Sequence, residues 1–143
     1  NNRIHRHGVI MTAHHKDDSE ETMLLKLLRG VHITNLSGMD VLQPAPLLYS
    51  TNLGDVPSES ERHHNLYFAK PMLGVRKSEI IRFMMGRGLE WREDASNASD
   101  KYMRNRVRNE LMPLLKDLVK GEDVLERRLE NLQEQSRKVK EDL

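Results

Sequence analysis

Hydrophobic positions recur along this chain in two rhythms. Val9-Ile10-Met11-Thr12-Ala13 is a short apolar run without alternation, the pattern of a parallel strand buried on both faces. It breaks at His14-His15-Lys16-Asp17-Asp18, and Asp18 followed three residues later by Glu21 has the form of a capping-box helix start. Met23, Leu24, Leu27, Leu28 and Val31 then recur at helical spacing, with Gly30 as the predicted stop. Thr34 to Leu66 holds most of the prolines and no durable period, which predicts a long loop or insertion. Leu66-Tyr67-Phe68-Ala69 predicts a second strand. Ile80, Ile81, Phe83 and Met84 predict a helix over Arg76 to Arg87, closed by Gly86 and Gly88.

Strand, helix, strand, helix implies an α/β fold. From Met103 onward Val107, Leu111, Leu114, Leu115 and Leu118 share one helical face, and Pro113 should kink that helix or start a new one near Met112. Beyond Gly121, Leu125, Leu129, Leu132, Ser136 and Val139 follow alternating four- and three-residue steps, as in a helix that packs on a partner. The expected division is a main unit over 1–120, with 34–66 as its long loop, and a helical linker over 121–143 leading toward an accessory domain.

Composition narrows the classes. With 143 residues, 37% hydrophobic and 31% charged, the chain suits one domain with a composition lean for burying a complete core. It starts at Asn1, with an interior-type strand almost at once, so the expectation is that the natural N-terminus lies upstream. A net charge of +1 means that attraction to nucleic acid must come from local clusters. The absence of cysteine excludes disulfides, thiolate metal sites and thiol nucleophiles. No apolar run reaches membrane-spanning length and no signal peptide is visible. The expected location is cytoplasmic or the stroma of a plastid or other organelle, with no membrane partner.

In open parallel sheets, ligands gather at the carboxyl ends of strands, and His14 to Asp18 joins such an end to a helix N-terminus. Two adjacent carboxylates there could hold Mg²⁺ beside phosphate oxygens, and an imidazole could orient a reacting group. The same residues could equally be a helix cap with solvated histidines, and spacing alone leaves both open. Lys101, Arg104 and Arg108 fall near one helical face, with Tyr102 beside them and Arg106 rotated away. That cluster suits phosphate contacts or a stacked base, although basic helix faces are more often merely solvated. Trp91, His63 and His64 receive no function, and Met84 and Met85 read as core.

The segment Thr12-Ala13-His14-His15-Lys16-Asp17-Asp18-Ser19-Glu20-Glu21-Thr22, continued by Leu27-Leu28-Arg29-Gly30, resembles the H-x-x-D-D-x-x-E-T signature of PP-loop tRNA-modifying enzymes. Lys70-Pro71-Met72-Leu73-Gly74-Val75-Arg76-Lys77-Ser78-Glu79-Ile80 resembles a segment of the tRNA(Ile)-lysidine synthetase family. Asp94 with Ser96-Asn97, then Arg104-Asn105-Arg106-Val107-Arg108-Asn109, is similar to that family's D-x-S-N…R-N-x-x-R block.

This resemblance implies a partial Rossmann-like, adenine nucleotide alpha hydrolase-like sheet. It implies ATP and Mg²⁺ as cofactors, an isoleucine tRNA and L-lysine as partners, and lysine ligation to the wobble cytidine through an adenylated intermediate. His14, Asp17, Asp18 and Glu21 become the expected catalytic residues, with Asp17 and Asp18 as metal ligands. Arg29, Asp94, Asn97, Lys101, Arg104, Asn105, Arg106 and Arg108 become the expected ATP or tRNA contacts. A homodimer is left open. The family's S-G-G-x-D-S phosphate loop is not found in this chain, so the expectation is that residues 1–143 alone are inactive. Two competitors stand beside this reading: a PP-loop tRNA thiolation enzyme, disfavoured by the missing cysteines, and a non-catalytic RNA-binding remnant.

Overall fold

The computed structural model describes residues 8–45, 66–92 and 99–142. β1 (Gly8–Met11) runs parallel to β3 (Leu66–Ala69), with Gly8 against Leu66 and Met11 against Ala69. β2 (Leu42–Pro44) lies antiparallel on the other side of β3, which gives the order β1-β3-β2. The stretch expected to be loop from Thr34 thus contains a strand, preceded by a 3-10 turn at Ile33–Asn35. Three residues ending in proline carry no readable alternation, and proline is tolerated there because β2 is an edge among the described strands.

The parallel pairing expected of the first strand is present. Its burial is not: Val9 is 55% and Ile10 42% exposed, because β1 has β3 as its one strand neighbour among the described residues.

The main hydrophobic cluster lies between helices. It joins Met23, Leu24 and Leu25 of α1 (Lys16–Leu28) with Leu36, with Val107 and Met112, and with Leu125 and Leu129 of α5 (Glu122–Glu141). Burying each such leucine contributes about 1.5–3 kcal/mol. Glu21 sits on the same stripe as Leu24 and Leu25, one turn earlier, since positions three and four apart share a helix face. That placement leaves its side chain 2% exposed. Leu27 and Leu28, expected in the stripe, are instead more than half exposed. Gly30 ends the helix as expected, at φ +68.

α2 spans Lys77–Gly86. α3 (Ser99–Arg106) passes through a π-helical turn at Val107–Leu111 into α4 (Met112–Leu118). Pro113 stands in the first turn of α4, where a missing N–H costs little, so the new helix expected near Met112 is present, joined to the π turn through helical backbone without a break. α5 is bound to the body by polar contacts as well as leucines. The Ser136 hydroxyl, fully buried, donates to the Ile33 carbonyl at 2.5 Å and accepts from the Ser37 N–H at 3.2 Å. The small side chain lets the backbone of 33–37 lie directly on the helix.

Candidate functional site

The turn after β1 is held from three directions. Thr12 N–H continues the sheet by bonding to the Ala69 carbonyl at 2.9 Å, and Lys16 N–H bonds to the Val75 carbonyl at 2.9 Å. The Thr12 hydroxyl and His14 Nδ1 are 2.8 Å apart, which orients the imidazole at the end of the strand. Asp18, at the third position of α1, accepts the His15 backbone N–H at 3.0 Å. The capping box therefore stands three residues earlier than the sequence placed it, with His15 as the cap, Asp18 in the third position and Glu21 outside it, and it occupies only one of the two Asp18 carboxylate oxygens.

Its other oxygen, Oδ1, lies 3.3 Å from Arg108 Nη2. The same guanidinium grips Glu21 with two nitrogens, Nε at 2.6 Å and Nη2 at 2.9 Å. Such a fork is the strongest pairing open to a carboxylate. A carboxylate as buried as Glu21 requires it, because an unpaired buried charge costs several kcal/mol. Arg108 stands in the π turn, and π turns are frequent at functional sites because they re-aim side chains. Arg104, one turn earlier, donates to the Thr22 hydroxyl at 3.1 Å.

Asp17 looks the other way. One oxygen accepts the Lys77 backbone N–H at 2.9 Å, so this carboxylate caps α2 from outside, where the helix dipole favours an anion. The other lies 3.5 Å from Arg76 Nη1. Arg76 also forks onto Glu20, at 2.9 and 3.1 Å, and reaches Glu126 of α5 at 2.5 Å. Lys16 pairs with Glu126 and, at 3.0 Å, with Glu130. His15 Nδ1 lies 3.4 Å from an Asp17 oxygen and finds no hydrogen bond among the described residues.

Burial of Asp17 opposes its charge, but the Lys77 N–H and the Arg76 guanidinium outweigh it and hold the carboxyl below its usual range. A depressed pKa gives stability that is present above the unfolded value, near 3.9, and lost as pH falls through the folded one. Wild type should therefore lose more thermal stability than Asp17→Asn on descending from about pH 5 to about pH 3. Parallel acid limbs would sink this account.

Of the residues expected from the sequence, His14, Asp17, Asp18, Glu21, Arg104 and Arg108 are brought to one region. Arg29 is the C-cap of α1, about 20 Å along the helix from the turn at 1.5 Å per residue. Arg106 pairs with the exposed Glu110 of its own helical run at 2.9 Å, and Asn105 is exposed. Asp94, Asn97 and the Lys101 side chain lie outside the described residues. The donor set does not fit the expected Mg²⁺ centre. The oxygens of Asp17 and Asp18 already accept backbone N–H groups and face guanidinium groups, and among the described residues no three His, Asp or Glu side chains converge as metal ligands.

Sequence reading missed Lys16, Glu20, Arg76 and Glu126. Arg76 stood inside a recognised segment without a role. Glu126 had no local signal, since it meets Lys16 across 110 residues of chain.

Residues 1–115 match the family model described as a PP-loop domain. A tRNA(Ile)-lysidine synthase of Bacillus subtilis is 37% identical over 112 residues, covering 78% of this chain and 20% of that protein. The corresponding proteins of Bacteroides thetaiotaomicron and Treponema pallidum are 34% and 33% identical, covering 77% and 79% of this chain and 21% and 19% of theirs. The chain thus spans about a fifth of the length of these relatives. With the family model covering most of the chain, and with the His-Asp-Asp turn seated at the end of a parallel strand, this chain belongs to the PP-loop domain family.

Proposed function

We propose that this chain is the part of a tRNA-modifying ligase that carries the His-Asp-Asp turn. The reaction is ATP-dependent attachment of lysine to the wobble cytidine of an isoleucine tRNA. One observation carries the reading: in a chain similar to relatives named tRNA(Ile)-lysidine synthase, the segment from His14 to Thr22 stands at the carboxyl end of β1, with arginines from two other parts of the chain drawn onto it.

In this reading ATP activates the cytidine carbon-2 oxygen, with release of pyrophosphate, and the lysine amine then displaces AMP. Arg104 borders the turn, where it donates to the Thr22 hydroxyl and has no carboxylate partner among the described residues, and it can meet phosphate charge as it develops. Asp17 and Asp18 each accept a backbone N–H and face a guanidinium. His14, oriented through Thr12, is placed to hydrogen-bond a reacting group.

The test is lysine incorporation by the full-length protein. With ATP, radiolabelled lysine and an isoleucine tRNA transcript, label should enter the tRNA, with AMP released in step. A folded full-length protein that gives no lysine-dependent AMP release with any isoleucine tRNA would overturn the ligase reading. If it still binds the tRNA, the non-catalytic RNA-binding reading takes its place.

A further inference from the structure

We propose that the outer face and C-terminal end of α2, from Arg82 to Arg92, form a docking surface for RNA. The inference deepens the tRNA-modifying reading and rests on it for the identity of the polyanion.

The argument begins from where the arginines go. Those at the turn and on the following helices are committed inside the protein: Arg76 to Glu20 and Glu126, Arg108 to Glu21 and Asp18, Arg106 to Glu110, Arg137 to Asp40. On the basic helix that the sequence offers as an RNA contact, Arg106 and Arg108 are thus paired with carboxylates, while Arg104 donates to the Thr22 hydroxyl. Arg82, Arg87 and Arg92 stand apart from these, and unlike the exposed Arg127 and Arg128 of α5 they have exposed aromatic rings among them. All three are exposed, and none has a carboxylate partner among the described residues.

Aromatic surface lies among these cations. Phe83 is 59% and Trp91 44% exposed, and the Arg87 guanidinium stands over the Phe83 ring at 5.1 Å. At 100° per residue, Arg82 and Phe83 fall on the half of α2 away from the partly buried Ile80, Ile81 and Met84, and Arg87 is the C-cap that follows Gly86. Exposed arginines interleaved with exposed rings suit a nucleic acid strand: guanidinium groups take phosphates in bidentate fashion, and rings stack bases.

Position supports the same occupant. α2 starts in the site, where Lys77 N–H holds Asp17, and runs ten residues outward, about 15 Å at 1.5 Å per residue. A strand with one nucleotide at the turn could lay its neighbours along this face. The three arginines would then give affinity and register, while the turn would act on the base.

The probe is a fluorescein-labelled RNA stem-loop with cytidine at the wobble position, titrated against this chain by anisotropy at several salt concentrations. Arg82→Gln, Arg87→Gln and Arg92→Gln together should weaken binding about tenfold or more. They should also flatten the dependence of log K on log salt by about 2, from roughly 0.7 per phosphate contact on a single strand. The exposed side chains leave the thermal midpoint unchanged. Trp91→Ala, which alters no charge, should weaken binding with the salt slope intact.

Unchanged affinity and slope in the triple variant overturn the proposal and leave the patch as a protein-binding face, and so does failure of the unmodified chain to bind the stem-loop at low salt. Because binding is measured apart from lysine transfer, the two readings fail separately. RNA binding that needs these arginines without lysine transfer by the full-length protein removes the ligase reading alone; lysine transfer with unchanged binding by the triple variant removes this surface alone.

Discussion

Arg108→Ala is expected to lower the unfolding free energy by about 3 kcal/mol, near the lower edge of the range for orphaning a buried charge. The lower edge applies because the Arg108 side chain is itself 39% exposed, so solvent already screens part of the pair. Glu21, at 2% exposure, loses both of its guanidinium bonds and must either remain charged in an apolar stripe or take up a proton. Urea unfolding of the two proteins measures the difference. Combining Arg108→Met with Glu21→Leu should recover most of the loss, because replacing a buried pair by apolar groups of similar volume is often neutral. If the double variant is as unstable as Arg108→Ala, the cost arises from the π turn and not from the stranded carboxylate. The same single substitution strips Asp18 of its cation, so lysine transfer by the full-length protein should fall with it under the ligase reading.

Arg76→Ala should cost about 3–5 kcal/mol, the larger effect of the two. Its side chain is 14% exposed and stands among Asp17, Glu20, Glu122 and Glu126, at 3.5, 2.9, 3.8 and 2.5 Å. Removing the one guanidinium leaves these carboxylates facing one another, with Lys16 as the remaining cation beside Glu126. Arg76→Lys should restore only part of the stability, because a single ammonium cannot fork onto Glu20 while reaching α5. Equal midpoints for the alanine variant and wild type in thermal unfolding would show that this network is solvated and carries no weight. Full rescue by lysine would show that charge alone matters.

The elements with strong local signals were legible in the sequence. The first helix, though its cap stands three residues before the Asp18 cap read from the sequence, the stop at Gly30, the strand at 66–69, the helix near 77–86 and the new helix at Met112 each follow from periodicity, glycine or proline chemistry within a few residues. β2 was not legible, since a three-residue edge strand ending in Pro44 has too few positions to show alternation. The exposure of β1 was not legible either, because a run of apolar residues records what a strand can bury and not which neighbours it has.

The candidate site divides in the same way. His14, Asp17, Asp18 and Glu21 were identifiable because their spacing on one turn and one helix start is local and matches a family signature. Whether an acidic pair of that kind binds a metal, caps a helix or holds an arginine depends on what lies opposite. Here that is decided by Arg76 and Arg108, 59 and 90 residues away from their aspartates, and by Glu126 on a helix beyond the family match. By itself the sequence determined the α/β class, the helix starts and stops, and the family of the signature turn, because these rest on short-range backbone chemistry and residue identity. Only the tertiary structure decided which charges are spent on each other and which, as on α2, remain exposed without carboxylate partners, because pairing depends on distances across the fold that sequence spacing does not encode.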